Sequence, residues 1–182
     1  MIRFCWFIPL CFLLASCAAK LPYPANHPLT KETFTSPGGK IGGKIPLGWI
    51  SPSVDTLPPG YIAWLIKNDY SATCTISELV PDRTTEKQIG KKGLLLLAQI
   101  SMSLRLGDEP AVTEPVKYRM NGREFCSYET EEGGCAERIV VFCANDRYYE
   151  CTMKTVRGKR SSPELKNLYT AQQTVLSELT FR

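Results

Sequence analysis

From residue 61 onward the chain is a succession of apolar runs whose period changes from strand to helix and back. Tyr61–Ile66 is apolar and aromatic, and Ala72–Val80 alternates. The turn-forming Asn68-Asp69-Tyr70-Ser71 lies between them, so the pair reads as a β-hairpin. Past Pro81, the residues Ile89, Gly93, Leu96, Leu97, Ile100 and Leu104 recur at helical spacing, and Leu94, Leu95, Met102 and Leu106 widen the apolar surface. This predicts one helix over 84–106, capped by Thr84 or Thr85, ended by Gly107 and packed hard on a sheet. Glu109–Val116, with Pro110 and Pro115, is a linker or short edge strand. After Arg119-Met120-Asn121-Gly122, three strands follow in a meander: 123–130, 135–143 and 147–156. Glu131-Glu132-Gly133-Gly134 and Asn145-Asp146 turn between them. Ile139-Val140-Val141-Phe142 is apolar on both faces and needs cover above and below. Ser161-Ser162-Pro163-Glu164 is a helix start with a capping box, and Leu165, Leu168, Tyr169, Gln172, Val175, Leu176 and Leu179 form its buried stripe. The order strands, helix, strands, helix makes the class α+β, with a single antiparallel β-sheet flanked by helices.

The other end of the chain carries an address. Arg3 precedes an apolar run from Phe4 to Leu14, broken only by Pro9. That is the charge and length of a signal peptide, and too short for a membrane span of ~20 residues. Leu14-Ala15-Ser16-Cys17 resembles the bacterial lipobox residue for residue. The resemblance implies removal of residues 1–16 and acylation of Cys17, which would anchor the protein to a membrane. In Gram-negative families Ala18, rather than Asp, implies the outer membrane over the inner, with the domain facing the periplasm.

Residues 17–38 contain Pro22, Pro24, Pro28 and Pro37 and few core-forming side chains. They read as an extended tether able to hold the domain ~60 Å from the membrane. The globular domain is then 39–182. Gly38, Gly43 and Lys44 have Walker A spacing, but Ile45 stands where a hydroxyl must hold Mg²⁺ and Pro46 follows where a helix should begin. Nucleotide binding is therefore rejected, and the glycines are read as a lead into the first strand.

Charge and cysteine content narrow the function classes. The net charge of +4 is spread along the chain apart from Arg157-Gly158-Lys159-Arg160, so nucleic acid is not an expected partner. The lone histidine, His27, falls in the tether, which argues against Ser-His-acid chemistry and a Cys-His nucleophile. Glu131 and Glu132 sit in a turn and read as solvation. No enzymatic activity, cofactor or metal site is expected. Trp49, Tyr61, Trp64 and Tyr148 are the candidate binding aromatics.

Five cysteines remain after Cys5 and Cys11 leave with the signal and Cys17 is acylated: Cys74, Cys126, Cys135, Cys143 and Cys151. An exported domain permits disulfides. With Gly133-Gly134 as a two-residue turn, Glu132 faces Cys135, Glu129 faces Arg138, Phe125 faces Phe142 and Cys126 faces Val141. The charge pair and the aromatic pair both favour this register. Cys126 and Cys143 then share a face on a diagonal at the edge of disulfide reach, and a Cys126–Cys143 bridge is the expectation. Cys151 falls on the other face, either reduced or paired to Cys74. A four-residue loop would reverse the faces.

Pro46-x-Gly48-Trp49, the aromatic hairpin, the Leu-rich helix, Asn121-Gly122-Arg123 before the meander, and the closing helix through Ser177-Glu178-Leu179-Thr180-Phe181 together resemble the PsbP-like superfamily. Its branches include extrinsic photosystem II subunits, Ran-binding Mog proteins and bacterial lipoproteins of the DcrB type. The resemblance covers 44–182 and rests on the order of elements. It implies an α/β/α sandwich acting as a non-catalytic protein-interaction module, here a membrane-anchored envelope lipoprotein with an envelope protein as partner. The alternative is small-ligand or lipid binding in an apolar pocket between the sheet and helix 84–106.

Overall fold

The computed structural model describes residues 20–107, 111–156, 158 and 160–182. The signal sequence and Cys17 lie outside the described residues. The fold is α+β, with antiparallel strands and helices on both faces. The strands form two sheets rather than the single one expected. Seven of them, in the order β3-β4-β5-β9-β8-β7-β6, make the main sheet: β3 Trp49–Ile50, β4 Tyr61–Lys67, β5 Ala72–Leu79, β6 Thr113–Met120, β7 Arg123–Glu132, β8 Cys135–Ala144 and β9 Arg147–Thr155. β1 Leu29–Thr35, β2 Ile41–Pro46 and β10 Thr180–Phe181 make a second, three-stranded sheet in the order β1-β2-β10.

β1 corrects the tether reading. Of its seven residues only Phe34 is buried, so its sequence shows no alternation. Pairing with β2 is what makes it a strand. The glycines of β2 serve that pairing. A Cβ on Gly43 would stand 2.8 Å from Phe34 Cζ, so glycine is what lets the Phe34 ring lie across the strand. Further upstream Leu21, Tyr23 and Ala25 pack on the core, and the His27 backbone N–H donates to Thr174 Oγ1 at 3.0 Å. Residues 20–38 are therefore part of the fold, and the domain boundary at 39 is moved.

The helical segment 84–106 is likewise broken in two, as α1 Arg83–Lys92 and α2 Leu94–Leu106. Gly93 sits at φ 77°, and its N–H donates to the Ile89 carbonyl at 2.7 Å, closing α1. The cap of α1 is Asp82, whose carboxylate accepts from the Thr84 and Thr85 backbone N–H groups, in place of either threonine. α3 Ser162–Ser177 starts with the expected capping box, the Ser161 N–H donating to Glu164 Oε2 at 2.9 Å.

The meander pairs in the expected register. Phe125 faces Phe142, Cys126 faces Val141, Glu129 faces Arg138 and Glu132 faces Cys135, while Cys143 faces Tyr148 and Val140 faces Cys151. Gly133-Gly134 and Asn145-Asp146 all have positive φ, the geometry of two-residue hairpin turns matched to strand twist. Strand alternation then divides the core. Phe125, Val140, Phe142, Cys151 and Met153 pack under α3, and Cys126, Tyr128, Ile139 and Val141 pack under α1 and α2.

Candidate functional site: the half-covered face of the main sheet

On the α2 side, the helix covers β6, β7 and β8. β4 and β5 continue beyond it, and α2 reaches β9 through Ser101 and Arg105. Because side chains alternate, the residues this leaves are Trp64 from β4, Thr73, Thr75 and Ser77 from β5, and Thr152 and Lys154 from β9. Thr75 lies directly between Trp64 and Thr152. With Pro58, Tyr61, Arg105, Glu137 and Glu150 they line a groove of about 370 Å³.

The inner wall of the groove is a charge cluster. Glu137 and Glu150 are 5% and 7% exposed, too buried for carboxylates without partners. Arg105, in the last turn of α2, reaches both: its Nη1 lies 3.5 Å from Glu137 Oε2, and its Nη2 is paired to Glu150 Oε1. Lys154 pairs with the other Glu137 oxygen. Ser101 Oγ donates to Glu150 Oε2 at 2.7 Å and meets the Tyr128 hydroxyl at 2.8 Å, and Thr152 Oγ1 donates to Glu150 at 3.1 Å. Burial by itself would lower the Arg105 pKa, but Glu150, Tyr128 and Glu137 outweigh it and raise it. The hydrogen bond to Glu137 raises that of Lys154. Burial pushes Tyr128 up to about 12. Both bases and the phenol therefore hold their protons at neutral pH. Two cations and two carboxylates are locked on one another, and the wall carries no net charge.

A second groove, of about 480 Å³, adjoins the first through Arg105 and Glu150. It runs between α2 and the loop from β5 to α1, lined by Leu79, Val80, Pro81, Leu97, Ile100 and Leu104. Val80 and Leu104 are 87% and 82% exposed, so this groove has an open apolar rim. The groove opens to solvent along its side, and it is walled by the β5–α1 loop rather than by the sheet alone.

The four candidate aromatics do not converge. Tyr61 and Trp64 line the first groove. Tyr148 lines a separate hollow with Ile89, Leu94 and Cys143. Trp49 is buried in the core beneath α3. Arg105, Ser101, Glu137 and Glu150 were not singled out from the sequence. The one available signal was periodic: Arg105 follows Ser101 by a helical turn, which puts both on one side of α2.

Cys126 and Cys143 do share a face, as expected, but both are free thiols, so the bridge is not formed. The diagonal register explains it, since direct opposition would have needed a shift of two residues. Burial pushes the Cys126 thiol up to about 11, which suits a packed, unreactive thiol. Cys74 and Cys151 lie on the α3 side with sulfurs 3.6 Å apart, in contact and unbonded.

The opposite face has its own polar cluster. Arg138 is 0% exposed, and its Nη1 and Nη2 donate to Gln172 Oε1 and Gln173 Oε1, both at 2.8 Å. The Tyr23 ring stands 4.9 Å from the guanidinium, and the Tyr23 hydroxyl donates to Glu129 at 2.7 Å. Glu129 and Arg138 thus face each other in the ladder, as expected, but each takes a different partner. Gln172 also donates to the carbonyls of Arg138 and Cys151, fastening α3 to the sheet.

No protein-family model matches the sequence, and no curated protein does. Solved structures resemble the fold. One is a protein of Bacteroides thetaiotaomicron, with 16% identity over 83% of this chain and 48% of that one, at a TM-score of 0.50. The chain thus spans about half the length of that protein. Others are the cyanobacterial PsbP of Synechocystis, with 13% identity, 83% and 92% coverage and a TM-score of 0.49, and the Saccharomyces cerevisiae Ran-binding protein Mog1p, with 9%, 84%, 96% and 0.49. At these identities the likeness concerns the fold.

Proposed function

We propose that the mature protein is a non-catalytic docking module, acylated at Cys17 and anchored to a membrane of the cell envelope, that binds an envelope protein on the half-covered face of its main sheet. The observation that carries the reading is the pair of adjoining grooves. An exposed apolar rim at Val80 and Leu104, with half-buried Ile100, lies beside half-buried hydroxyls and an aromatic wall at Tyr61 and Trp64. Exposed apolar side chains bordered by polar groups mark interaction surfaces. The internally neutralised wall favours a partner segment that brings one or two apolar side chains with hydrogen-bonding backbone, and offers nothing to a strongly charged ligand. Enclosed binding of a small apolar ligand is the less favoured reading, because such sites bury most of their ligand and this groove is open along its side. No helix among the described residues is long and apolar enough to cross a membrane.

A photo-crosslinking residue at position 104, or at 64, tests the reading in intact membranes. The expected result is one discrete adduct from each position, and none from position 31, exposed on β1. Leu104→Glu should abolish the position-64 adduct at unchanged protein level. Equal adduct patterns from all three positions would overturn the assignment.

A further inference from the structure

The acylated residue and the folded domain stand very close together in the chain. Leu21, Tyr23 and Ala25 are half-buried against the core beside α3, and the Tyr23 ring meets the Tyr169 ring edge-on with centroids 5.2 Å apart. His27 is held at Thr174 and, through Nε2, at the Leu47 carbonyl, 3.2 Å away. Tyr23 lies at Tyr169 and His27 at Thr174, so this segment runs parallel to α3. Toward its N-terminus it therefore leaves the domain at the start of that helix. Only four peptide units separate Cys17 from Leu21, and at full extension they span ~14 Å.

We infer that the mature protein is held directly against the bilayer, with the N-terminal end of α3 facing the phospholipid headgroups. The inference rests on acylation of Cys17. A residue whose acyl chains are in the membrane lies at the headgroup layer. Leu21 must then lie within ~14 Å of it, less than half the ~30 Å thickness of a bilayer's hydrocarbon core. The exposed side chains at that end are Lys20, Ser162, Pro163, Lys166 and Asn167, with Arg160 paired to Glu164. The hairpin tip Glu131–Gly134 lies beyond Glu129, which Tyr23 contacts, and brings Glu131 and Glu132 to the same end. Basic and acidic groups are both present there, so the short connection, not net charge, sets the approach. The consequence for docking is a short reach: the grooves can meet only what lies at the membrane surface.

The test uses the full mature protein, purified from membranes with its acyl chains and reconstituted in phosphatidylethanolamine–phosphatidylglycerol vesicles carrying a headgroup energy acceptor. A donor is placed by non-canonical amino acid at 166 or at 182, avoiding the free thiols. Position 166 lies about 16 Å along the helix from the end of α3, and 182 lies past that end, beside the Asn145–Arg147 turn. Transfer from 166 should exceed that from 182 several-fold. Twenty Gly/Ser residues inserted between Ala19 and Lys20 add a flexible span of ~25 Å and should remove the difference. Equal, weak transfer from both sites in vesicle-bound protein, unchanged by the insertion, would overturn the inference while leaving acylation intact. Failure of the protein to float with vesicles at all, matching Cys17→Ser, would overturn acylation and the inference together.

Discussion

Arg138 and Glu137 are neighbours on β8, and the strand sends them to opposite sides of the sheet. Arg138 enters a space closed by α3, by the N-terminal segment and by the second sheet, and it is fully sealed. Glu137 enters a space that α2 closes on one side only, and it borders an open groove. Both are charged and both are held by unlike means, with the Arg138 Nε–H left without an acceptor. Arg138 has neutral acceptors and an aromatic ring, whereas Glu137 has two partly exposed cations. A guanidinium surrounded by amide oxygens is a fixed structural fastener. Ion pairs whose cations reach water are screened, and cost less to disturb than a sealed guanidinium. The closed face holds the fold together, and the half-covered face is where binding has room.

Removing the N-terminal segment should break the contrast most severely. A chain beginning at Gly39 loses β1, the Phe34 ring and the Tyr23 cover of Arg138, and exposes the closed face. It is expected to lose its near-UV circular dichroism and its cooperative thermal transition. Retention of both would mean that the α3 face is sealed without it.

Arg138→Ala isolates the fastener. It leaves Gln172 Oε1 and Gln173 Oε1 buried without donors and opens a cavity, and should cost about 3–4 kcal/mol in urea unfolding. Arg138→Met, which fills the space, should cost less, because it does not leave a hole. An equal cost for the two would show that the hydrogen bonds, not the packing, dominate.

Alkaline pH probes both faces at once. Burial raises the Cys126 thiol from 9.0 to about 11 and the Tyr128 phenol from 10.0 to about 12. It also contributes to the rise at Cys74, after the hydrogen bond with Cys151. The folded state therefore prefers the protonated forms. Stability from these groups is complete below pH 9.0 and is lost as pH climbs through the folded values toward about 12. Thermal midpoints under reducing conditions should fall steadily across that window. Tyr128→Phe should flatten its upper part.

Ser101→Ala is the smallest perturbation. It removes hydrogen bonds to Glu150 and Tyr128 at the edge of the groove, with Arg105 and Thr152 still holding the carboxylate. About 1 kcal/mol is expected by chemical denaturation. A loss as large as that of Arg138→Ala would erase the distinction between the faces.

Much of the architecture was legible because it is set by local chemistry. Gly133-Gly134 and Asn145-Asp146 impose two-residue turns, and turn length fixes register, so every pairing in the meander could be written from the sequence. The capping box at Ser161 and the stripe through Leu176 placed α3 for the same reason. The candidate site was much less legible. Tyr61 and Trp64 were found by residue type, but Trp49 and Tyr148 have the same chemistry and went to the core and to another hollow. Which aromatic stays uncovered depends on where α2 ends over the sheet, and no residue within β4 records that.

By itself the sequence determined the class, the turns, the strand register and which residues share a face, since these depend on backbone conformation and on neighbours one to four residues apart. Only the tertiary structure decided that residues 20–38 belong to the domain. β1 buries Phe34 alone, and its hydrogen bonds go to β2 across a turn whose glycines read as spacing. Tyr23 and His27 hold to residues 106 and 147 positions away. Contacts of that separation leave no period in the chain, because the free energy that orders the segment comes from surfaces built elsewhere.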